Sequence, residues 1–167
     1  ATDAAGATAE KAVVASVTNV NEAPVVTSSA TATAIAENGA AGAVVYTATS
    51  TDVDAGSVQT YSLSGTDAAM FDINSATGVV TIKAAADFEA KASYSFSVTA
   101  TDNGSPVLAT TKAVTLAATN VNEAPVVSSA ATGTVAENAA ISTVIYTATA
   151  TDVDAADTRT YSLKAAT

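Results

Sequence analysis

Asn19-Val20-Asn21-Glu22-Ala23-Pro24 is a six-residue stretch that recurs as Asn120-Val121-Asn122-Glu123-Ala124-Pro125, and each copy runs on into Val-Val. The copies lie 101 residues apart, and about 100 residues is the length of a small β-sandwich domain. The proline of each copy lacks a backbone N–H and has a fixed φ, which suits a domain boundary better than a strand interior. The sequence therefore predicts two linkers within a tandem array.

The residues around the linkers predict one complete repeat between two partial ones. Ala1-Thr2-Asp3 matches Ala100-Thr101-Asp102, and Lys11–Thr18 corresponds to Lys112–Thr119, which predicts a late loop and a last strand at 11–18. We expect 126–167 to stop after its third strand, which leaves part of a core open, so this part should not fold stably alone. The predicted division is the end of a preceding repeat (1–18), a linker (19–24), a complete repeat (25–119), a second linker (120–125) and the start of a following repeat (126–167).

The complete repeat alternates between short β-branched or aromatic runs and turn signals. The clearest alternation is Tyr94 to Ala100, in which Tyr94, Phe96 and Val98 face one way and Ser and Thr the other. Such spacing over about 100 residues predicts an all-β fold, a seven-stranded Greek-key sandwich with almost no helix. The predicted strands are 25–35, 44–49, 59–63, 71–73, 79–82, 94–100 and 107–118.

Composition excludes several classes of function. The net charge of -10 argues against a nucleic-acid partner, which needs a basic surface. The chain has no cysteine and no histidine, which removes disulfides, thiol chemistry and the usual zinc ligand. Its apolar runs are too short to span a bilayer. The amino terminus has no charged region before an apolar core, so we expect a mature or internal segment of a secreted, strand-rich protein.

Most of the acidic residues recur with the repeat and lie in loops without basic partners. Such clusters of carboxylates repel one another unless a cation is bound. Calcium takes six to eight oxygen ligands in irregular geometry, whereas magnesium, the second choice, keeps more of its water. Each motif alone has an ordinary alternative, since an Asp-x-Asp in a β loop is more often turn chemistry than a metal site. Twelve of the sixteen acids recur: Asp3, Glu22, Glu37, Asp52, Asp54, Asp87, Glu89, Asp102, Glu123, Glu137, Asp152 and Asp154.

Taken in order, these motifs resemble the cadherin repeat. Its marks are a Glu after the first strand, an Asp-x-Asp after the second, an Asp-x-Glu before the sixth, an Ala-x-Asp loop after the sixth, and an Asn/Asp-rich linker near proline. Here they are Glu37, Asp52-Val53-Asp54, Asp87-Phe88-Glu89, Ala100-Thr101-Asp102 and Asn120 to Glu123. The resemblance covers the complete repeat and both partial ones. It is closest to bacterial cadherin-like repeats, and it implies a cadherin/immunoglobulin-like sandwich.

The resemblance implies that calcium (Ca2+) is bound between successive repeats. We call the regions around the linkers 19–24 and 120–125 the first and second joints. Both linkers begin with Asn where the family usually has Asp, which predicts weaker binding. The implied ligands at the second joint are Glu37, Asp87, Glu89, Asn120, Asn122, Glu123, Asp152 and Asp154. Those present in this chain for the first joint are Asn19, Asn21, Glu22, Asp52, Asp54 and Asp102.

The leading functional hypothesis is a structural or adhesive segment of a bacterial surface or secreted protein. Its repeats would be spacers, and calcium would stiffen each joint into an extended rod or filament. The expected partners are neighbouring repeats and other copies of the chain. The alternative is a carbohydrate-binding module, although eight aromatic residues and no tryptophan are few for one. A catalytic role is the least favoured, because the carboxylate pairs that could imitate a glycosidase recur with the repeat.

Overall fold

The computed structural model describes residues 1–164, so the end of the predicted unit 126–167 lies outside the described residues. The fold is all-β apart from one 3-10 turn, Ala68–Met70. The complete repeat contains nine strands, and two more follow it. They are β1 (Val25–Val26), β2 (Ile35–Ala36), β3 (Val44–Thr47), β4 (Ser50–Thr51), β5 (Thr60–Ser64), β6 (Phe71–Ile73), β7 (Val79–Ile82), β8 (Ser93–Thr101), β9 (Ala109–Thr119), β10 (Val126–Val127) and β11 (Ala150–Thr151).

Two sheets and a short ribbon make up the complete repeat. One sheet has the order β2-β9-β8-β5, in which β2 and β9 are parallel and the other pairs antiparallel. The second sheet has the order β3-β7-β6 and is antiparallel. β1 pairs with β4 in an antiparallel ribbon. These pairings confirm an all-β, sheet-rich fold.

The core lies between the two sheets and is built mainly on the predicted alternation of β8. Phe96 is 1% exposed, and its ring lies 4.9 Å from that of Phe71 and 6.0 Å from that of Tyr46, measured between centroids. From the neighbouring strand, Val114 and Leu116 are fully buried. Burying each such side chain stabilises the fold by roughly 1.5–3 kcal/mol.

Nine strands are present where seven were predicted, because the first predicted segment is divided into β1 and β2, and a separate strand, β4, follows the second segment. β1 pairs with β4, whereas β2 joins the β2-β9-β8-β5 sheet. In the connection between β1 and β2, Ser29 O accepts the hydroxyl of Tyr46 at 2.6 Å. The second segment breaks after β3, where Ala48 N donates to Gly78 O at 2.9 Å. Gly78 has φ 70°, and a Cβ there would overlap the Ala48 carbonyl. Glycine is therefore required at this turn.

The partial repeats carry little regular structure. The predicted last strand at 11–18 is wrong for this chain, because residues 9–23 form no strand. The matching residues of β9 pair with β8 and β2, but 11–18 have no such neighbours among residues 1–164, and Val13, Val14 and Val17 are exposed. Among residues 126–164 of the last repeat, β10 and β11 are the only strands that pair, and the third strand expected at 160–163 is not formed.

Candidate metal centre

The side of the second joint that belongs to the complete repeat is organised by the buried carboxylate of Glu37, which is 3% exposed. Its Oε2 accepts the backbone N–H of Phe88 at 2.7 Å, and its Oε1 accepts that of Val121 at 2.9 Å. Glu37 follows β2, Phe88 lies in the loop before β8, and Val121 belongs to the linker. One carboxylate therefore holds three distant segments of the chain together.

The Asp87-Phe88-Glu89 loop adds two more carboxylates beside Glu37. Asp87 Oδ1 accepts the backbone N–H of Ala90 at 2.8 Å, and the Asp87 carbonyl accepts that of Lys91 at 2.9 Å. These bonds form a turn that fixes both acids near Glu37. Glu37, Asp87 and Glu89 each present one oxygen, and the three oxygens lie within 4.8 Å of one another.

The following repeat contributes Asp152 and Asp154 from the loop after β11. Asp154 is 6% exposed, and it accepts the backbone N–H of Glu123 at 2.8 Å and the side-chain amide of Asn120 at 2.8 Å. Its own N–H donates to Asp152 Oδ1 at 3.2 Å. Two further groups, each with oxygens within 4.8 Å, are Glu89 with Glu123 and Asp154, and Asp152 with Asp154 and Asp157.

The pKa shifts reflect this crowding of carboxylates. Partial desolvation, followed by the charge of Glu37, raises the pKa of Glu89 and that of Glu123. Asp154 shows the opposite shift, because the backbone N–H of Glu123 and the amide of Asn120 lower the pKa of its carboxyl. Two glutamates at the joint thus resist ionisation, while the aspartate is held in its charged form.

The donor set fits a hard divalent cation. The three acidic groups overlap through Glu89 and Asp154. The ion pairs within residues 1–164 are Lys83–Asp72 and Lys91–Asp67, so no basic side chain neutralises the joint. Glu123 Oε2 is buried without a hydrogen-bond partner, which is costly for a charged oxygen unless a ligand satisfies it. Oxygen-only donors around a cleft of about 240 Å³ suit calcium.

The first joint repeats the hydrogen bonds between the linker and the Asp-x-Asp loop that follows it. Asp54 accepts the side-chain amide of Asn19 and the backbone N–H of Glu22, the latter at 2.9 Å. Asn21 donates to Asp102 Oδ2 at 2.8 Å, and it packs against Gly104, where a Cβ would overlap its amide. Within residues 1–164, no group of three acidic side chains meets at this joint. Within residues 1–164, the first joint therefore shares with the second joint the two hydrogen bonds from the linker to the second aspartate of the Asp-x-Asp loop.

The remaining predicted ligands are held by local hydrogen bonds. Asp52 accepts the N–H of Asp54 at 3.0 Å and the hydroxyl of Ser57 at 2.8 Å. Asp102 is 5% exposed, and the backbone N–H of Leu108, which donates to it at 2.9 Å, lowers the pKa of its carboxyl, as does the Asn21 amide. Asn122 is exposed and donates to the Glu123 carbonyl at 3.1 Å. Within residues 1–164, the Asn122 amide makes no hydrogen bond to a carboxylate of the joint.

Two residues at the second joint were not predicted from the sequence. Asp157 joins an acidic group, but the corresponding position of the complete repeat is Ser57, so comparison of the repeats could not reveal it. The side-chain amide of Asn38 donates to Glu123 Oε1. Asn38 recurs as Asn138, each time directly after a glutamate that recurs with the repeat, and this recurrence is the signal that could have found it.

Comparison with known proteins identifies the fold. A family profile described as "Cadherin domain" matches residues 31–117, more than half of the chain. Human Protocadherin-1 is 38% identical over 112 residues, which cover 64% of this chain and 11% of that protein. Mouse Protocadherin Fat 4 is 34% identical over 125 residues, which cover 72% of this chain and 2% of that protein. The chain therefore belongs to the cadherin domain family, and it spans only a small fraction of these relatives.

Solved structures agree with this assignment. The crystal structure of human CDH23 EC21-23 has a TM-score of 0.66 at 26% identity, covering 82% of this chain and 46% of that one. Protocadherin Gamma B2 extracellular cadherin domains 3-6 gives 0.58 at 29% identity, covering 63% and 27%. No helix among residues 1–164 is both long and apolar enough to cross a bilayer.

Proposed function

We propose that this chain is a calcium-binding structural and adhesive segment of an extracellular surface or secreted protein, in which calcium stiffens the joints between cadherin repeats. Cadherin domains are adhesion modules that bind calcium between repeats, which supports the proposal. The observation that carries it is the second joint, where three overlapping carboxylate groups join the complete repeat, the linker and the following repeat. Glu123 Oε2, buried and unpartnered, belongs to this cluster.

The residues that would hold calcium come from three separated parts of the chain. Glu37, Asp87 and Glu89 belong to the complete repeat, and Asp152 and Asp154 to the following one. Asn120, Asn122 and Glu123 lie in the linker between them. At the first joint, the residues of this chain that would contribute are Asn19, Asn21, Glu22, Asp52, Asp54 and Asp102.

Bound calcium would supply positive charge that offsets the repulsion among these carboxylates. The chain's own groups hold the joint partly ordered before the ion binds. Glu37 fixes the linker through Val121 N–H, and Asp154 fixes it through Glu123 N–H. Without the ion the acidic side chains still repel one another, and bending at the short linker relieves that repulsion. Calcium would therefore govern stiffness at the joint more than folding of the sandwich.

An array of such repeats would form a quasi-linear rod, because each repeat contacts mainly its neighbours. Its partners would be adjacent repeats and other copies of the chain in an adhesive or filamentous contact. The bacterial origin and the filament stay predictions, since the relatives reported above that carry an organism are human or mouse. The carbohydrate-binding alternative needs exposed aromatic rings. No aromatic side chain of the complete repeat is exposed, and the two exposed tyrosines, Tyr146 and Tyr161, lie in the incomplete last repeat. We propose no catalytic role.

Isothermal titration of the 167-residue chain with calcium tests the proposal. We expect binding in the micromolar to millimolar range, where extracellular calcium modules lie. Magnesium should bind more weakly, because it demands a regular octahedral set of ligands. The absence of calcium heat up to several millimolar, in a chain shown by circular dichroism to be folded, would contradict the proposal.

A further inference from the structure

We propose that Asn38 is a positioning residue for Glu123, one that leaves the second carboxylate oxygen of Glu123 available to the ion. This inference rests on the proposed function, because it names how a ligand of that site is oriented. The amide Nδ2 of Asn38 donates to Glu123 Oε1. The other oxygen, Oε2, is buried and accepts no hydrogen bond. The contact joins the complete repeat to the linker across 85 residues of sequence.

The backbone of Asn38 aims its side chain at the linker. Asn38 lies in the left-handed region with φ 58°, and its N–H donates to Ala86 O at 3.0 Å. A non-glycine residue rarely adopts this conformation, and asparagine is among the residues that tolerate it. Glycine would satisfy the backbone equally well. The turn alone therefore does not explain why an amide side chain stands here.

The neighbouring carboxylates show why Glu123 needs a donor. Glu37, directly before Asn38, uses both of its oxygens on backbone N–H groups. One oxygen of Glu123 lies within 4.8 Å of one oxygen each of Glu89 and Asp154. No lysine or arginine pairs with Glu123 within residues 1–164. The Asn38 amide is thus the side-chain donor that holds Glu123 in place beside the neighbouring carboxylates.

Asn138 provides a matched control within the same chain. It follows Glu137 as Asn38 follows Glu37, and it has nearly the same backbone conformation, with φ 61°. Its side chain makes no hydrogen bond among residues 1–164, which cover both linkers. Asn138→Gly therefore repeats the backbone change of Asn38→Gly without removing a donor from Glu123.

The test compares calcium affinity and thermal stability for the wild type, Asn38→Gly, Asn38→Asp and Asn138→Gly. We expect Asn38→Gly to bind calcium roughly tenfold more weakly, as for loss of a residue that orients a metal ligand. We expect its melting temperature in chelator to be unchanged or higher, since glycine suits a positive φ. In chelator, Asn38→Asp should lower the melting temperature, because without the ion it places a like charge against Glu123. Asn138→Gly should bind as the wild type does.

Two results would overturn the inference. They are wild-type affinity in Asn38→Gly, or an equal loss of affinity in Asn138→Gly. A calcium-independent measurement separates this inference from the proposed function. In chelator, the side-chain NH2 resonances of Asn38 should shift when Glu123 is changed to Ala, and the absence of a shift would also overturn it. If the wild type binds no calcium, the proposed function fails, and the calcium role of Asn38 fails with it.

Discussion

The carboxylate of Asp154 accepts the backbone N–H of Glu123 at 2.8 Å, which ties the following repeat to the linker before it. The same bond recurs at the first joint, where Asp54 accepts the N–H of Glu22 at 2.9 Å. The two joints differ in what lies on the other side. Asp154 meets the carboxylates of the complete repeat, whereas Asp54 has no such cluster opposite it among residues 1–164. The bond is therefore common to both joints, and within residues 1–164 the acidic cluster is present at the second joint.

Asp154→Ala and Asp54→Ala remove the same hydrogen bond at the two joints, so comparing their calcium affinities tests the role of the acidic cluster. Asp154→Ala should weaken calcium binding by roughly tenfold or more, because it removes both a ligand and the hydrogen bond to Glu123. Asp54→Ala removes the matching hydrogen bond at the first joint, where residues 1–164 hold no such cluster, so it should leave the tightest binding event unchanged. Isothermal titration of both variants measures the effect. Equal losses in the two variants would show that the cluster is not the binding site.

Calcium affinity should fall as the pH is lowered, beginning above the ordinary glutamate pKa of 4.5. Desolvation and neighbouring charge raise the pKa of Glu89 and of Glu123, so both take up protons at a higher pH than an isolated glutamate. Calcium requires the ionised form, so affinity is full above the raised pKa values and is lost as the pH falls through them.

Calcium titrations at neutral pH and at successively lower pH check this prediction. Glu89→Gln is the control, because it removes one titrating group and should make affinity less dependent on pH. Affinity that stays constant until the pH reaches that of an ordinary carboxylate would argue against a crowded site.

The ionised carboxylate of Asp67 should stabilise the complete repeat at neutral pH, and this contribution should be lost in acid. It is 9% exposed and accepts Lys91 Nζ at 2.8 Å and the backbone N–H of Ser95 at 2.7 Å, and these bonds lower its pKa. A depressed pKa gives stability that is present above the unfolded value and lost as the pH falls through the folded value. Asp67→Asn should therefore cost about 1–2 kcal/mol at neutral pH and progressively less in acid.

Urea denaturation in chelator measures this difference. Asp72→Asn is the control, because its ion pair with Lys83 is exposed and such pairs contribute little. A cost for Asp67→Asn that does not change with pH would contradict the assignment of its stabilising role to the charged carboxylate.

Phe96 should be among the most sensitive positions of the core. Its ring is 1% exposed and packs against Phe71 and Tyr46 from the opposite sheet. Phe96→Ala should destabilise the repeat by about 3–5 kcal/mol, through lost burial and the cavity left behind. Met70→Ala is the control, since Met70 is 41% exposed. Denaturation curves that show similar losses for both variants would indicate that the two sheets do not share this core.

The strands that were predicted correctly are those that depend on local residue patterns. The alternation of Tyr94, Phe96 and Val98 predicted β8, and the segments predicted at 71–73 and 79–82 coincide with β6 and β7. The breaks in the first two strands were not predictable, because they depend on contacts such as Tyr46 with Ser29, which only the packed sandwich creates.

The same limit applies to the candidate site. Ligand positions that recur with the repeat could be found by comparing one repeat with the next. Asp157 could not be found in this way, because Ser57 stands at the matching position. The link between Asn38 and Glu123 was also missed, because it depends on a left-handed backbone and on contact across 85 residues.

Small-angle X-ray scattering with calcium and with chelator tests most directly the central claim that calcium locks the joint. The chain to use carries residues 25–119 after residue 125, so that complete repeats flank the second linker and Asp52 and Asp54 of the added copy stand for Asp152 and Asp154. We expect a longer and more rigid particle with calcium and a flexible one in chelator, with unchanged strand content by circular dichroism. Alanine at both added aspartates should give the flexible particle even with calcium. Identical scattering in calcium and in chelator, with both repeats folded, would contradict the account.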